Sequence, residues 1–376
     1  MHPSSIMSYY ATYSILDEVV AENNYKNLNI YIDFRNCLQS IYMEHTIINL
    51  IESTRAANIF DTSIFSSLIS FLSFHKLYSV KRKIKLNIFV FFEMGRSFYH
   101  QNISKKYKIS RRVDSLYGLD SVDRELFHDI VRNNLILAHK AANGIPNVNM
   151  IRLLNLEADF IPYYLITRNI VDNSTDTAHI TYSNDHDLCQ NLGEHSYVFR
   201  KTPQFKKIVR KGGGMREQLK FESDLDDDVQ SLAIAVIGDP GDDVDGIKGI
   251  GPKTFVKIAP DLLKMCGGMN QLYNNVMLKQ PIFYSPGEIK NKYINKVLDE
   301  EIATNKISNN LKLVSFELLS RHFDDPDTTE MLSRKNEFLK KLSEKVEIPL
   351  ERMKDVLELH NIDIEWEDLD ILYQTV

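Results

Sequence analysis

Eight carboxylates of this 376-residue chain stand where they could act together. Asp33 closes the apolar run LNIYIDF, and Glu93 closes KLNIFVFFE. Glu157 and Asp159 form the pair in LEADF, and Asp185 and Asp187 the pair in NDHDL. Asp239 and Asp242 belong to GDPGDDVDGIKGIGPKT, residues 238–254. Taken singly, each has an ordinary explanation, because acids form turns at strand ends and suit the positive end of a helix. Brought together, they repel. Two unit charges about 5 Å apart at an effective dielectric of about 20 cost roughly 3 kcal/mol. A domain has only about 5–15 kcal/mol of net stability. Such a cluster calls for divalent cations, and an all-oxygen donor set favours Mg²⁺, with Mn²⁺ as a substitute, over zinc. Two such ions are the usual equipment for hydrolysing a phosphodiester. His186, between Asp185 and Asp187, is read as a solvent-facing spacer, since hard cations rarely take imidazole.

The run that supplies Asp239 and Asp242 turns at once into GIKGIG, residues 246–251. This is the pattern of a helix-hairpin-helix turn. Gly246, Gly249 and Gly251 let the backbone bend sharply, and Ile247 and Ile250 are expected to tuck inward. Lys253 and Thr254 open the helix that follows, where amides and dipole together can hold a phosphate. Contacts of that kind grip a sugar-phosphate backbone without reading its sequence. The aspartates would finish a metal site and the hairpin would seize a duplex a fixed distance away.

These residues need elements to position them. LNIYIDF, KLNIFVFFE and TAHITYSNDHDL read as buried strands, and SIFSSLISFLSFHKLYSV (63–80) and DRELFHDIVRNNLILAHKAAN (123–143) read as helices. Strands alternating with helices predict an α/β fold with a mainly parallel sheet. Ligands of such sheets bind beyond the carboxyl ends of the strands, where all three runs carry acids. The first 25 or so residues read as a helical lead-in. From about 238 the strand signals fade into short helices, with TTEMLSRKNEFLKKLSEKV one clear helical segment. Boundaries are placed near 236 and 325.

The composition is that of a globular protein, 43% hydrophobic and 26% charged. Cys37, Cys189 and Cys266 form neither a zinc spacing nor a disulfide framework, which predicts a reducing compartment, the cytoplasm (of a host, if the source is viral). No stretch reaches the roughly 18 apolar residues of a membrane span, and the N-terminal residues lack the pattern of a signal peptide. The net charge of −6 argues at first against a nucleic-acid partner. Without the eight candidate ligands, however, the 51 acids fall to 43 against 45 Lys and Arg.

An acid-ended strand, a second acid-ended strand, YKxxR, EAD, DxD and GDxxD…GIxGIGxK, in this order, resemble the structure-specific 5′-nuclease family over roughly residues 28 to 260. That family includes flap endonucleases, the 5′-nuclease domain of bacterial DNA polymerase I, and bacteriophage 5′-exonuclease and RNase H proteins. The resemblance implies a PIN-like, Rossmann-like nuclease core (26–235, with an arch over about 93–150) and an all-α helix-three-turn-helix DNA-binding unit (236–325). A helical extension (326–376) follows. It implies that Asp33, Glu93, Glu157, Asp159 and Asp185 surround one metal, and that Asp185, Asp187, Asp239 and Asp242 surround a second. In SKKYKISRR, it implies that Tyr107 stacks on a base near the scissile bond while Lys108 and Arg111 hold the scissile phosphate, and that K⁺ binds at the hairpin carbonyls. Glu93 stands where the family usually has Asp, and Phe160 where many microbial members carry a further Asp.

The expected activity is Mg²⁺-dependent 5′-nuclease action on branched or nicked duplex DNA and on RNA·DNA hybrids, by a monomer. Two other readings use the same residues: an inactive DNA-binding scaffold of this fold, and a PIN-type ribonuclease. RKTPQFKKIVRKGGGMREQLK, residues 200–220, holds eight Lys or Arg and one Glu. It reads either as a solvated basic hairpin or as a second phosphate-contacting surface. The acidic, aromatic tail DIEWEDLDILYQTV suggests a docking site for a replication clamp or single-strand-binding protein.

Overall fold

The computed structural model describes residues 3–34, 63–94, 97–108, 136, 142–201, 206–284, 287, 289–343, 345–359 and 366–374. The three apolar runs form strands: β1 (Asn27–Asp33), β2 (Lys85–Met94) and, after β3 (Val148–Leu154), β4 (Thr177–Tyr182). β1 is buried along its centre and β4 throughout, as expected of strands covered on both faces. β3 was not anticipated, because Asn149 and Arg152 interrupt its apolar character. It lies at the sheet edge, where one flank needs no partner strand. β5 (Ser196–Lys201) and β6 (Lys206–Val209) complete a six-stranded sheet among the described residues, in the order β3-β2-β1-β4-β5-β6. All neighbours are parallel except β5 and β6, which form an antiparallel hairpin.

This order sets where a ligand can go. The chain lays down β1, β2 and β3 to one side, then returns to place β4 against the free flank of β1. At such a reversal the connections leave in opposite directions and open a crevice at the carboxyl ends. The register pairs Ile32 with Tyr182, so Asp33 and Ser183 emerge side by side into it.

One face of the sheet is covered by α1 (Pro3–Asn23) and α2 (Ser63–Arg82), through Leu16, Val19 and Leu72. The other is covered by α3 (Phe98–Ile103) and α4 (Ile161–Thr167), through Tyr99, Ile161 and Tyr164. The helix expected over 123–143 lies largely outside the described residues. α5 (Gly214–Leu219) and α6 (Gln230–Ile237) lead into a helical unit made of α7 (Pro252–Cys266), α8 (Met269–Met277), α9 (Lys292–Thr304), α10 (Lys306–Val314) and α11 (Phe316–Asp324). Its core joins Leu232, Phe255, Leu262, Leu272 and Leu311. Local chemistry fixes the ends. Pro252 starts α7 with a φ already suited to a helix, and Gly267 ends it in the left-handed conformation, φ 74°. The buried carboxylate of Glu301 accepts the backbone N–H groups of Ile307 (2.6 Å) and Ser308 (3.1 Å), capping α10.

The last residues return to the six-stranded sheet. α12 (Thr329–Ser343) packs Met331 and Phe338 onto the β3 face. The chain then crosses the sheet edge, where Ile348 N–H donates to Gly144 O (2.8 Å) and Lys345 Nζ to Ile145 O (2.6 Å). α13 (Leu350–Leu359) and α14 (Trp366–Leu372) close on the opposite face with Met353, Leu357, Leu369 and Leu372. Among the described residues no helix is long and apolar enough to cross a membrane.

Two measurements check this wrapping. Leu369 and Leu372 are fully buried, so Leu372→Ala should lower the unfolding free energy of the chain by about 2–4 kcal/mol in urea titrations, whereas a loosely attached tail would lose almost nothing. Lys76 of α2 is buried near Glu347, and burial pushes its ammonium down to about 8, the Glu347 charge offsetting only part. An unfolded lysine titrates at about 10.4. The folded state thus prefers the neutral amine, and stability should rise between pH 8 and about 10. Lys76→Met should be more stable at neutral pH and show a smaller rise.

Candidate metal centre

Three separate turns deliver the acids. The first follows β4. Ser183 Oγ donates to Asp33 Oδ2 (3.2 Å) and accepts from Asp185 N–H (3.0 Å), and Asp185 Oδ1 accepts from Asp187 N–H (3.1 Å). One hydroxyl thus links the end of β1 to the DxD loop. The second turn follows β3 and carries Glu157, which is buried, and Asp159, which is partly so. The third follows α6. Gly238 adopts φ 91°, and a Cβ there would fall 2.4 Å from Gly246 N, so the position requires glycine. β7 (Gly238–Asp239) then pairs with β8 (Val244–Asp245). Between them, Asp239 Oδ1 caps a short turn by accepting from Gly241 N–H (2.8 Å), and Asp242 is only 4% exposed.

Oxygen atoms of Asp187, Asp239 and Asp242 lie within 4.8 Å of one another. Burial, then the charges of Asp185, Asp242 and Asp239, push the carboxyl of Asp187 well above the usual carboxylate range. This acid is readily ionised only beside a compensating cation. The donors are all oxygen, and a hard divalent cation such as Mg²⁺ or Mn²⁺ fits them.

Glu157 lies in the opposite electrostatic environment. Lys108 Nζ donates to Glu157 Oε1 (2.6 Å) and stands 3.4 Å from Asp242 Oδ2. Tyr107 OH reaches both Glu157 Oε2 (3.2 Å) and Asp242 Oδ2 (3.3 Å). Burial alone would raise the Glu157 carboxyl, but His100, Lys108 and Tyr107 outweigh it and hold it at about 2. His100 is itself kept neutral by burial, so Lys108 is the lasting cation. Asp242 therefore belongs to both groups, bridging the Asp187–Asp239 cluster and the Lys108–Glu157 pair.

Tyr107 is held within this wall. Its ring stacks on His100, centroids 4.6 Å apart and 12° from parallel. That arrangement covers one ring face and directs the hydroxyl at the carboxylates. Glu93 has its backbone in β2, but its side chain lies outside the described residues, as does all of Arg111. The hairpin has Ile247 and Ile250 buried, as expected. Gly246 serves close packing, since a Cβ would meet Ile237 O at 1.8 Å. Gly249 takes φ 83°, Gly251 is the residue before α7, and Lys253 is exposed in its first turn with Thr254 beside it.

His186 is a correction. It is half-buried rather than solvent-facing: Arg200 Nη1 approaches its Nδ1 (2.8 Å) and Lys220 Nζ its Nε2 (2.7 Å). Burial and these two cations push the imidazole down to about 4. Four of the eight Lys and Arg residues of the basic stretch are matched with acids. Arg200 and Lys207 pair with Glu217, Arg210 with Glu18 and Glu22, and Arg216 with Glu222. Sequence reading missed Ser183 and His100, and placed Arg200 in a basic stretch without its role behind the DxD loop. The Ser-x-Asp spacing of a side-chain turn marks the first, whereas nothing local marks His100 or that role of Arg200.

No protein-family model matches the sequence, and no curated protein does either. Solved structures do. The bacteriophage T5 flap endonuclease, in a complex with DNA and metal ions, is 17% identical with a TM-score of 0.53, covering 89% of this chain and 100% of that one. A T5 5′-exonuclease with bound zinc is 18% identical with a TM-score of 0.53, over 89% of this chain and 100% of that one. The acid-bearing strand ends and the glycine-rich joint are thus set in a shared architecture, and this chain has the PIN-like fold of the structure-specific 5′-nucleases.

Proposed function

We propose that this chain is a metal-dependent structure-specific 5′-nuclease that hydrolyses phosphodiester bonds in branched or nicked DNA, and in RNA·DNA hybrids. The observation that carries the reading is the meeting of Asp187 with Asp239 and Asp242, from two separate turns, within 4.8 Å. Asp33, Glu93, Glu157, Asp159 and Asp185 would complete the ligand set for two Mg²⁺ or Mn²⁺ ions. Bound there, such ions supply an activated water and stabilise the charge that develops on the phosphate.

The chain's own groups do the rest. Lys108 stands at the border of the carboxylate cluster, where its ammonium can donate to a phosphate oxygen. Tyr107 and His100 form an apolar, stacked support beneath it and keep the Glu157 carboxylate oriented. The buried Ile247 and Ile250 hold the hairpin so that Lys253 and the first turn of α7 face outward, suited to a duplex phosphate backbone and, with K⁺, to bracing it. Such contacts ignore base identity, which fits recognition of a branch rather than a sequence.

The test is cleavage of 5′-labelled flap, nicked and hybrid substrates in Mg²⁺ and in EDTA, with single-stranded RNA alongside. Metal-dependent cutting of the flap supports the reading. Binding without turnover would favour an inactive scaffold, and cutting of the RNA alone a PIN-type ribonuclease. Asp185→Asn should lower flap cleavage by at least about 10³-fold while leaving duplex affinity within about twofold; equal loss of both would remove the case for a metal role. Lys108→Ala should slow single-turnover cleavage by about 10²–10³-fold, again with little change in duplex affinity measured by anisotropy.

A further inference from the structure

Behind the DxD loop lies a buried polar cluster that neither the metal ligands nor the DNA-facing residues explain. Arg200 is 6% exposed and Glu217 8%. Arg200 Nη2 donates to Asn184 O (2.6 Å), and its Nη1 approaches His186 Nδ1 (2.8 Å) and Glu217 Oε2 (2.7 Å). Lys207 bonds the other oxygen of Glu217. Gln230, at the start of α6, donates to His186 O (2.8 Å). One guanidinium thus grips the residues on both sides of Asp185, and α6 anchors the residue before Asp187.

We infer that Arg200 is a positioning residue for the Asp185–Asp187 loop, setting the metal affinity of these carboxylates through Asn184 and His186 without touching metal or DNA. The inference rests on the metal-centre reading. Its physical basis is the planar fork of arginine, which fixes two acceptors in a set geometry where lysine's rotatable ammonium does not. Arg200 is tied to Asn184 O and Glu217 as well as to the His186 ring, whereas Lys220 reaches that ring from an exposed position and is the replaceable neighbour. Burying an arginine–glutamate pair brings little stability in itself compared with apolar packing, which favours a role in holding the loop. Groups that orient metal ligands from behind typically change metal affinity or activity by about 10–100-fold when removed.

The sign of the effect separates positioning from charge alone. Arg200, Lys207 and Lys220 lie behind the DxD loop, on His186 and Glu217, with Glu217 as the near counter-charge. Deleting one cation would, by Coulomb attraction only, tighten the binding of a divalent ion. Losing the grip on the loop would weaken it.

The experiment titrates Mn²⁺ into the full chain by electron paramagnetic resonance without DNA, and records the Mg²⁺ dependence of flap cleavage together with metal-free thermal melts. Arg200→Ala should raise the Mn²⁺ dissociation constant about 10-fold. It should shift the Mg²⁺ midpoint by the same factor, with the rate at saturating Mg²⁺ restored to within about twofold. Arg200→Lys should fall between wild type and Arg200→Ala. Arg216→Ala, which removes a charge on α5 from its exposed pair with Glu222, should leave the Mn²⁺ midpoint in place. A merely structural loss would instead lower the rate equally at every metal concentration. Unchanged or tighter Mn²⁺ binding by folded Arg200→Ala overturns the inference. If that variant does not fold, His186→Ala decides: a weaker Mn²⁺ midpoint supports it and an unchanged one overturns it. A wild-type chain that binds no Mn²⁺ would overturn the metal-centre reading and this inference with it.

Discussion

Like-charge repulsion governs the architecture of this protein. Asp187 sits against Asp185, Asp239 and Asp242 in a poorly solvated crevice, and its carboxyl resists ionisation for that reason. Carboxylates free to relax would move apart into water. That they stay together means the backbone carrying them is held by interactions stronger than the repulsion. Among the described residues, the chain supplies an internal offset at the border where Lys108 stands between Glu157 and Asp242. At the other border the acids face one another, and a divalent cation is the natural complement.

The rigidity comes largely from one joint in the helical unit. At the end of α10, Leu313 O accepts from His100 Nε2 (3.1 Å) and Val314 O from Gln190 Nε2 (2.9 Å), while Phe316 N–H donates back to Gln190 Oε1 (3.2 Å). Further back, Asn310 donates to Ala235 O (2.8 Å) and Asp245 O (3.0 Å). His100 belongs to the segment of Tyr107 and Lys108, Gln190 to the turn that begins at Asp187, and Ala235 and Asp245 to the elements flanking Asp239 and Asp242. Three acid-bearing or acid-binding segments are therefore referred to one stretch of helix. The same unit carries the hairpin at 246–251, so the distance from hairpin to carboxylates is fixed by packed backbone rather than by a linker.

Charge is distributed by pairing as much as by number. The basic stretch over 200–220 looks in sequence like a cationic surface, yet Arg200, Lys207, Arg210 and Arg216 each meet a carboxylate. The partners are distant in sequence for Arg210, whose Glu18 and Glu22 lie on α1. In the C-terminal segment Leu369 and Leu372 lie in the core beneath the sheet, while Asp370 between them is exposed and pairs with Lys354 (3.1 Å).

The chain's local chemistry was enough to reveal β1, β2 and β4, because apolar runs with acids at their ends can be read without knowing their neighbours. The run at 238–254 was also legible, since glycines and aspartates at close spacing permit few backbone paths, and the burial of Ile247 and Ile250 follows from it. β3 escaped because an edge strand tolerates polar residues. Which acids touch, which cation answers Glu157, and why His186 is turned inward were decided only by tertiary structure. Asp187 and Asp242 are brought together by the sheet's reversal and by the α10 joint, and Arg200 reaches the DxD loop because β5 lies beside β4. Contacts of that kind arise between segments far apart in the chain, and no local pattern of residues encodes them.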